Sequence, residues 1–215
     1  MTSKAITIID YGVGNLLSVR RAFEYCGARV TITSDPKMIE RADRLVLPGV
    51  GAFPNAMELI NRYELAQVVK DFATSGKPLL AICLGMQLLM DESEEFTKTA
   101  GLSLIPGRVV ELPKTNSKAE FNKIPHIGWS PIFPRDSIVD WQGTILSDNS
   151  SGNHVYFVHS FMASLVDYSN ELAYTSYGGL RVPAVVIRDN IIGCQFHPEK
   201  SGEVGLKMLN RFYHD

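Results

Sequence analysis

Pro78-Leu79-Leu80-Ala81-Ile82-Cys83-Leu84-Gly85-Met86-Gln87-Leu88-Leu89-Met90 holds two backbone periods in one run. Residues 78–82 are continuously apolar, the pattern of a strand buried on both faces, as in a parallel sheet. From Leu84 onward the apolar spacing becomes helical. The change falls at Cys83, so a strand is expected to turn abruptly into a helix there. A thiol at that junction lies at the positive end of a helix dipole, which favours thiolate because only the charged form gains from it. Gly85 fits a tight junction, since such a turn needs a nearby residue without a side chain. The competing reading is that a cysteine after an apolar run is a small core residue.

Working outward, the first ninety residues alternate strand and helix patterns. Residues 5–9, 29–32 and 44–47 read as strands. Residues 16–26 read as a helix with Val19, Ala22, Phe23 and Cys26 on one face, ended by Gly27. Ser34-Asp35-Pro36 resembles a helix start with proline in its first turn. Further helices are expected near 54–62 and 64–75, the second ended by Gly76. Such alternation implies an α/β fold: a central, mostly parallel sheet with helices on both faces. Sites in such sheets lie beyond the carboxyl ends of the strands, where Cys83 falls.

The second half is strand-rich. Residues 91–125 are polar and read as excursions outside the main sheet. Strand patterns follow at 155–159, 172–176, 184–188 and 191–195, with Asp189-Asn190 as a two-residue hairpin turn lacking the usual glycine. A closing helix near 202–213 carries Val204, Met208, Leu209 and Phe212. At 215 residues, the whole of 1–215 is expected to form one domain.

Bulk properties exclude several function classes. With 21 basic and 23 acidic residues the net charge is −2, so no broad attraction to nucleic acid or anionic membrane is expected. No apolar stretch approaches the roughly 18 residues of a membrane span. Residues 1–4 lead directly into a strand pattern, too briefly for a secretory signal. Three cysteines without Cys-x-x-Cys spacing argue against a disulfide framework and against zinc, and fit a cytoplasmic protein with no metal. Gly12-Val13-Gly14 invites a dinucleotide reading, but Leu17 occupies the third glycine position and no Walker-type loop exists. No cofactor is expected.

The chemistry for Cys83 is expected from His197-Pro198-Glu199. In extended chain His197 and Glu199 leave the same face, so Glu199 can orient the ring that serves as base for Cys83. His126, His154, His159 and His214 lie near strand ends, in loops or at the terminus, and read as structural. Cys194 precedes Gln195 by one residue, so it points away from the face of Gln195, His197 and Glu199 and reads, with Cys26, as a core thiol. Pro48-Gly49-Val50-Gly51-Ala52-Phe53 follows the third strand at the same sheet edge. Its glycines let backbone amides approach a ligand, as an oxyanion hole requires, although a plain tight turn has the same composition.

Ala81-Ile82-Cys83-Leu84-Gly85-Met86-Gln87 together with His197-Pro198-Glu199 resembles the class I glutamine amidotransferases. Ala81 stands where a nucleophile elbow more often has glycine, and is small enough to fit. Asp10-Tyr11-Gly12-Val13-Gly14-Asn15-Leu16, Pro48–Phe53, Ser93-Glu94-Glu95, Pro125-His126-Ile127-Gly128-Trp129, Val158-His159-Ser160 and Lys200 extend the resemblance over nearly the whole chain. They narrow it to the glutaminase subunits of imidazole glycerol phosphate synthase. The resemblance implies hydrolysis of glutamine to glutamate and ammonia by Cys83, His197 and Glu199. It implies oxyanion donors at Val50, Gly51 and Leu84, and glutamine contacts from Gln87, Glu95 and the Ser160-Phe161 backbone. It also implies a barrel-shaped cyclase as partner in a heterodimer, with Tyr11, Asn15, Trp129 and Lys200 as candidates for the docking surface. Phe161 and Ser130 depart from the family's more usual tyrosine and asparagine. The resemblance leaves room for a subunit serving anthranilate, pyridoxal phosphate or guanylate synthesis, or for a catalytically silent partner.

Overall fold

The alternating half folds as a succession of parallel strands and helices in this computed structural model, which describes residues 5–115, 121–136 and 140–215. Strand β1 (Ala5–Ile9) leads to α1 (Leu16–Tyr25), β2 (Arg29–Thr33), α2 (Pro36–Glu40) and β3 (Arg44–Gly49). Helices α3 (Phe53–Arg62) and α4 (Leu65–Thr74) return the chain to β4 (Leu79–Cys83), which runs straight into α5 (Leu84–Leu88). Local chemistry sets several boundaries. The Asp35 carboxylate accepts from the Lys37 amide at 2.9 Å, the N-cap expected ahead of Pro36. Gly27 closes α1 in the left-handed region, at φ +85°. The expected face of α1 is buried at Val19, Ala22 and Phe23, while Cys26 is half-buried just past the helix end.

The second half builds the remaining strands. Short β5 (Glu92–Ser93) and β6 (Thr99–Ala100) precede β7 (Gly107–Glu111). Then come β8 (His126–Pro131), β9 (Phe133–Pro134), β10 (His154–His159) and β11 (Phe161–Leu165). Strands β12 (Glu171–Tyr177), β13 (Leu180–Arg188) and β14 (Ile191–Cys194) precede the closing helix α6 (Gly202–His214). The main sheet has eight strands in the order β2-β1-β3-β4-β14-β13-β12-β9. From β2 to β14 every pair is parallel; from β14 to β9 every pair is antiparallel. The turn at Asp189-Asn190 forms without glycine. Asp189 takes the left-handed conformation, and the Asn190 amide donates to Ala73 and Lys77 carbonyls at 2.9 and 2.7 Å.

Residues 91–125 lie outside the main sheet as expected, and β5, β6 and β7 there join β11 in a second, four-stranded sheet. The strand expected at 155–159 forms as β10 and pairs with β8 in a two-stranded sheet of its own. Strand β8 is hidden in the sequence because Pro125 just before it, Gly128 within it and Pro131 at its end break the alternation that marks strands. Residues 1–4 and 116–120 lie outside the described residues, and with them the readings made there.

The central strands separate two apolar cores. Leu45, Leu47, Leu79 and Ala81 face one cluster, while Val46, Leu80 and Ile82 face the other. This strict alternation is what a sheet covered on both faces requires. It breaks at Cys83, which lies in the same cluster as its neighbour Ile82. No described helix is long and apolar enough to cross a membrane.

Candidate active site

Cys83 ends β4 at φ +56° and ψ −109°, a conformation an L residue adopts only when its surroundings force it. What forces it is the direct passage from β4 into α5 beneath β3. A Cβ placed on Gly85 would meet the Leu47 carbonyl oxygen at 1.9 Å, so only glycine allows α5 to lie this close to β3. Helix α5 is shorter than its apolar run suggests. The carbonyls of Leu88, Leu89 and Met90 accept from Leu102, Leu104 and Ser103 amides instead of continuing the helix. The positive end next to Cys83 is therefore little more than one turn of free amides, and its effect on the sulfur is short-ranged.

The pairing of Gly49 with Cys83 across β3 and β4 brings the Gly49–Gly51 turn beside the sulfur. Gly51 stands at φ +93°. Tyr11 fixes this turn from below: its hydroxyl donates to the Pro48 carbonyl at 2.8 Å, and it is fully buried. The sequence reading of Tyr11 as a docking residue is thus corrected. A side chain packed under the turn has no surface to offer a partner.

His197 and Glu199 meet, with Nδ1 to Oε1 at 2.8 Å and both side chains almost wholly buried. The expected mechanism for that meeting needs amendment. Residues Pro198–Lys200 form a 3-10 turn, not extended chain, and the turn folds the carboxylate back onto the ring. With Nδ1 taken by Glu199, Nε2 is the ring nitrogen left for Cys83. No group among the described residues completes a hydrogen bond to Nε2, yet the Cys83 sulfur is near enough for its charge to act on the ring. Burial by itself lowers the affinity of the ring for a proton. The Cys83 sulfur and then Glu199 more than offset it, raising the pKa to about 10. Imidazolium beside sulfur is the arrangement of an activated thiolate.

A cavity of about 350 Å³ opens above these groups, and Val50, Gly51, Cys83, Leu84, Gln87, Glu95, Ser160, Phe161, His197 and Lys200 line it. Glu199 stands behind His197. The catalytic, oxyanion and glutamine-contact candidates therefore converge on one space, whereas Asn15 and Trp129 do not line it. Trp129 is 54% exposed on β8, and Lys200 is exposed at the cavity rim. Asn15 precedes α1 and is half-buried, with no side-chain cap to that helix. Glu95 spends one carboxylate oxygen on the Phe53 amide at 2.7 Å, capping α3 from a distant loop. Among the described residues, no cluster of three or more His, Cys, Asp or Glu could hold a metal.

Sequence reasoning missed Gln195. Its amide nitrogen lies 4.0 Å from Cys83 Sγ, and its oxygen accepts from Gln87 Nε2 at 3.0 Å. The two-residue spacing of Gln195, His197 and Glu199 carried the signal for it. Cys194 is fully buried in the core beyond, where burial, then the Glu199 charge, push its thiol well above the ordinary range.

The family pattern of the class-I glutamine amidotransferases matches residues 7–215. Imidazole glycerol phosphate synthase subunit HisH 1 of Legionella pneumophila (strain Lens) is 49% identical over 208 residues, covering 97% of this chain and 98% of that protein. The chain belongs to the HisH family of class I glutamine amidotransferases. HisH of Caldanaerobacter subterraneus subsp. tengcongensis is 47% identical, with 96% of each chain covered. HisH of Bacillus anthracis is 46% identical over 96% of this chain and 93% of its own. PurLQS from Thermotoga maritima superposes with a TM-score of 0.71 at 17% identity, covering 98% of each chain. A glutamine amidotransferase from the same organism gives 0.61 at 16%, covering 93% of this chain and 77% of its own. At those identities the structures share the fold alone. The HisH relatives span the length of this chain, so its second, four-stranded sheet lies within the part they match.

Proposed function

We propose that this HisH-family chain is a single-domain glutaminase that supplies ammonia to a cyclase partner, the two forming imidazole glycerol phosphate synthase. The observation that carries the reading is that Cys83 and His197 line one cavity, with His197 Nδ1 held from behind by Glu199. The Cys83 thiolate attacks the side-chain amide carbon of glutamine. The electron pair of the carbonyl moves onto oxygen, which amides of Val50, Gly51 and Leu84 surround. One such donor is worth about 10²–10³ in rate. Collapse of the intermediate breaks the C–N bond as His197 Nε2 gives its proton to the departing ammonia. The glutamyl thioester then yields to a water that His197 deprotonates, releasing glutamate and the thiol.

Glutamine is held by Gln87, Glu95 and the 160–161 backbone. The Phe161 carbonyl already accepts from Gln87 and from His159, each at 2.9 Å, and the Ser160 carbonyl from Leu112 at 2.8 Å. The grip of this segment on substrate therefore falls to its N–H groups and side chains. Ammonia becomes ammonium in neutral water and loses its nucleophilicity, so a partner must close over the cavity. Val50 and Lys200 of the cavity lining, with Trp129 on β8 and Asn15 ahead of α1 as further docking candidates, would meet a cyclase that turns a ribulosyl-formimino aminoimidazole carboxamide ribonucleotide into imidazole glycerol phosphate and aminoimidazole carboxamide ribotide. Such a complex works in the cytoplasm, without a cofactor on this chain.

Cys83→Ala in complex with the cyclase tests the reading. Glutamine-dependent synthesis should vanish while synthesis from added ammonia stays within about twofold. Retained glutaminase activity would remove Cys83 from the nucleophile role, and failure of the complex to make imidazole glycerol phosphate from either source would remove the pathway assignment.

A further inference from the structure

His159, which also lines the cavity, forms with His126 and Ser130 a hydrogen-bonded row that the proposed chemistry does not use. Ser130 Oγ lies 2.8 Å from His126 Nε2, His126 Nδ1 lies 3.0 Å from His159 Nε2, and His159 Nδ1 lies 2.9 Å from the Phe161 carbonyl. Both rings are buried, His126 between the Phe157 and Tyr177 rings at 4.7 and 3.9 Å. Burial holds their pKa values down, to about 4 for His126 and about 3 for His159, so both are neutral near pH 7.

Neutral imidazoles in this row have only one consistent arrangement. A carbonyl can only accept, so His159 carries its hydrogen on Nδ1 and presents Nε2 as an acceptor. His126 must then donate from Nδ1, which leaves its own Nε2 as an acceptor. Ser130 must donate to it. From the other side the Phe161 carbonyl accepts from Gln87 Nε2, which also donates to Gln195, whose amide nitrogen faces the Cys83 sulfur. The row therefore runs unbroken from β8, the strand that exposes Trp129, to the nucleophile.

We infer that Ser130 is a positioning residue for the glutamine pocket: its hydroxyl supplies the terminal donor of the row, seating His126 and through it His159, which holds the Phe161 carbonyl against which Gln87 and Gln195 align. Serine makes that donor a single rotatable hydroxyl. The kinetic part of the inference rests on the glutaminase reading; the tautomers do not.

Two measurements test it. In ¹⁵N-labelled full-length protein at neutral pH, both His126 and His159 should carry hydrogen on Nδ1, the less common tautomer of free histidine. Hydrogen on Nε2 of either ring would overturn the inference whatever the activity of the chain. In Ser130→Ala, the concentration of a glutamine-like chloroketone giving half-maximal labelling of Cys83 should rise about threefold to tenfold, the worth of one buried hydrogen bond. The limiting labelling rate, and labelling by iodoacetamide, which needs no glutamine site, should be unchanged, and Ser130→Thr should restore tight labelling. An unchanged half-maximal concentration, or an equal loss of iodoacetamide labelling, would make the row packing only. Absence of saturable chloroketone labelling in the unsubstituted protein would instead sink the glutaminase reading and leave the tautomer result standing.

Discussion

Cys83 holds a backbone conformation costing on the order of 1–3 kcal/mol, and that cost has a use. A relaxed residue at the end of β4 would continue the alternation and bury its side chain between strand and helix. The strained one lifts sulfur into the cavity toward His197. His197 is the second residue whose state matters, because its raised pKa, about 10, decides where activity ends. A histidine whose folded pKa exceeds its unfolded value keeps its proton, and the stabilisation that comes with it, below about 6.5 and loses both as pH rises through about 10. Glutaminase turnover is therefore expected to persist through neutrality and fall on an alkaline limb near pH 10, as the acid that protonates ammonia disappears. Glu199→Gln removes one of the two groups that sustain the imidazolium, so that limb should move at least about one unit toward neutrality, each unit being about 1.4 kcal/mol. A pH–rate profile of both proteins checks this; an unmoved limb would take Glu199 out of the electrostatic role.

At the scale of elements, the site depends on how closely α5 lies on β3. Gly85→Ala would place a methyl group 1.9 Å from the Leu47 carbonyl oxygen, a backbone atom that cannot rotate aside. The expected cost is about 1–3 kcal/mol in stability, read from the denaturant midpoint, with glutaminase activity falling further because the elbow shifts. An unchanged midpoint with full activity would mean the elbow is not set by this contact. The elements around the elbow are legible because each carries its own period. The buried runs of β3 and β4, the Asp35-Pro36 start of α2 and the glycine ends of α1 and α4 are local signals. The second sheet is not legible. Strands β5 and β6 have two residues each, too few for a period, and β7 pairs with β11 across a gap of some fifty residues that no local pattern spans. Helix α5 reads too long in the sequence because Leu88-Leu89-Met90 keeps helical apolarity while its carbonyls are claimed by 102–105.

Across the whole molecule, Val50 and Lys200 are exposed residues that line the cavity, while β8 exposes Ile127 and Trp129, whose ring reaches Gly202, two residues past Lys200. An exposed tryptophan is the kind of group that anchors an interface, and truncating such an anchor commonly weakens binding tenfold or more. Trp129→Ala is accordingly expected to raise the dissociation constant of the cyclase complex at least about tenfold, measured by titration calorimetry. Equal affinity would place the partner elsewhere. The reading of Tyr11 shows where the sequence stops: its loop reaches the same sheet edge, yet the ring packs beneath the turn and bonds to Pro48. By itself the sequence determined the strand-to-helix junction at Cys83, the alternating half of the sheet and the pairing of an imidazole with a carboxylate two residues on. Those properties follow from neighbours along the chain, whose periodicity and spacing are written locally. Only the tertiary structure decided that His159 lines the cavity beside Cys83 and His197, that Gln195 stands beside the sulfur, that Tyr11 is buried, and that Ser130, His126 and His159 form one row. Each of these depends on the register between strands far apart in sequence, and a register is fixed by the packing of the whole core.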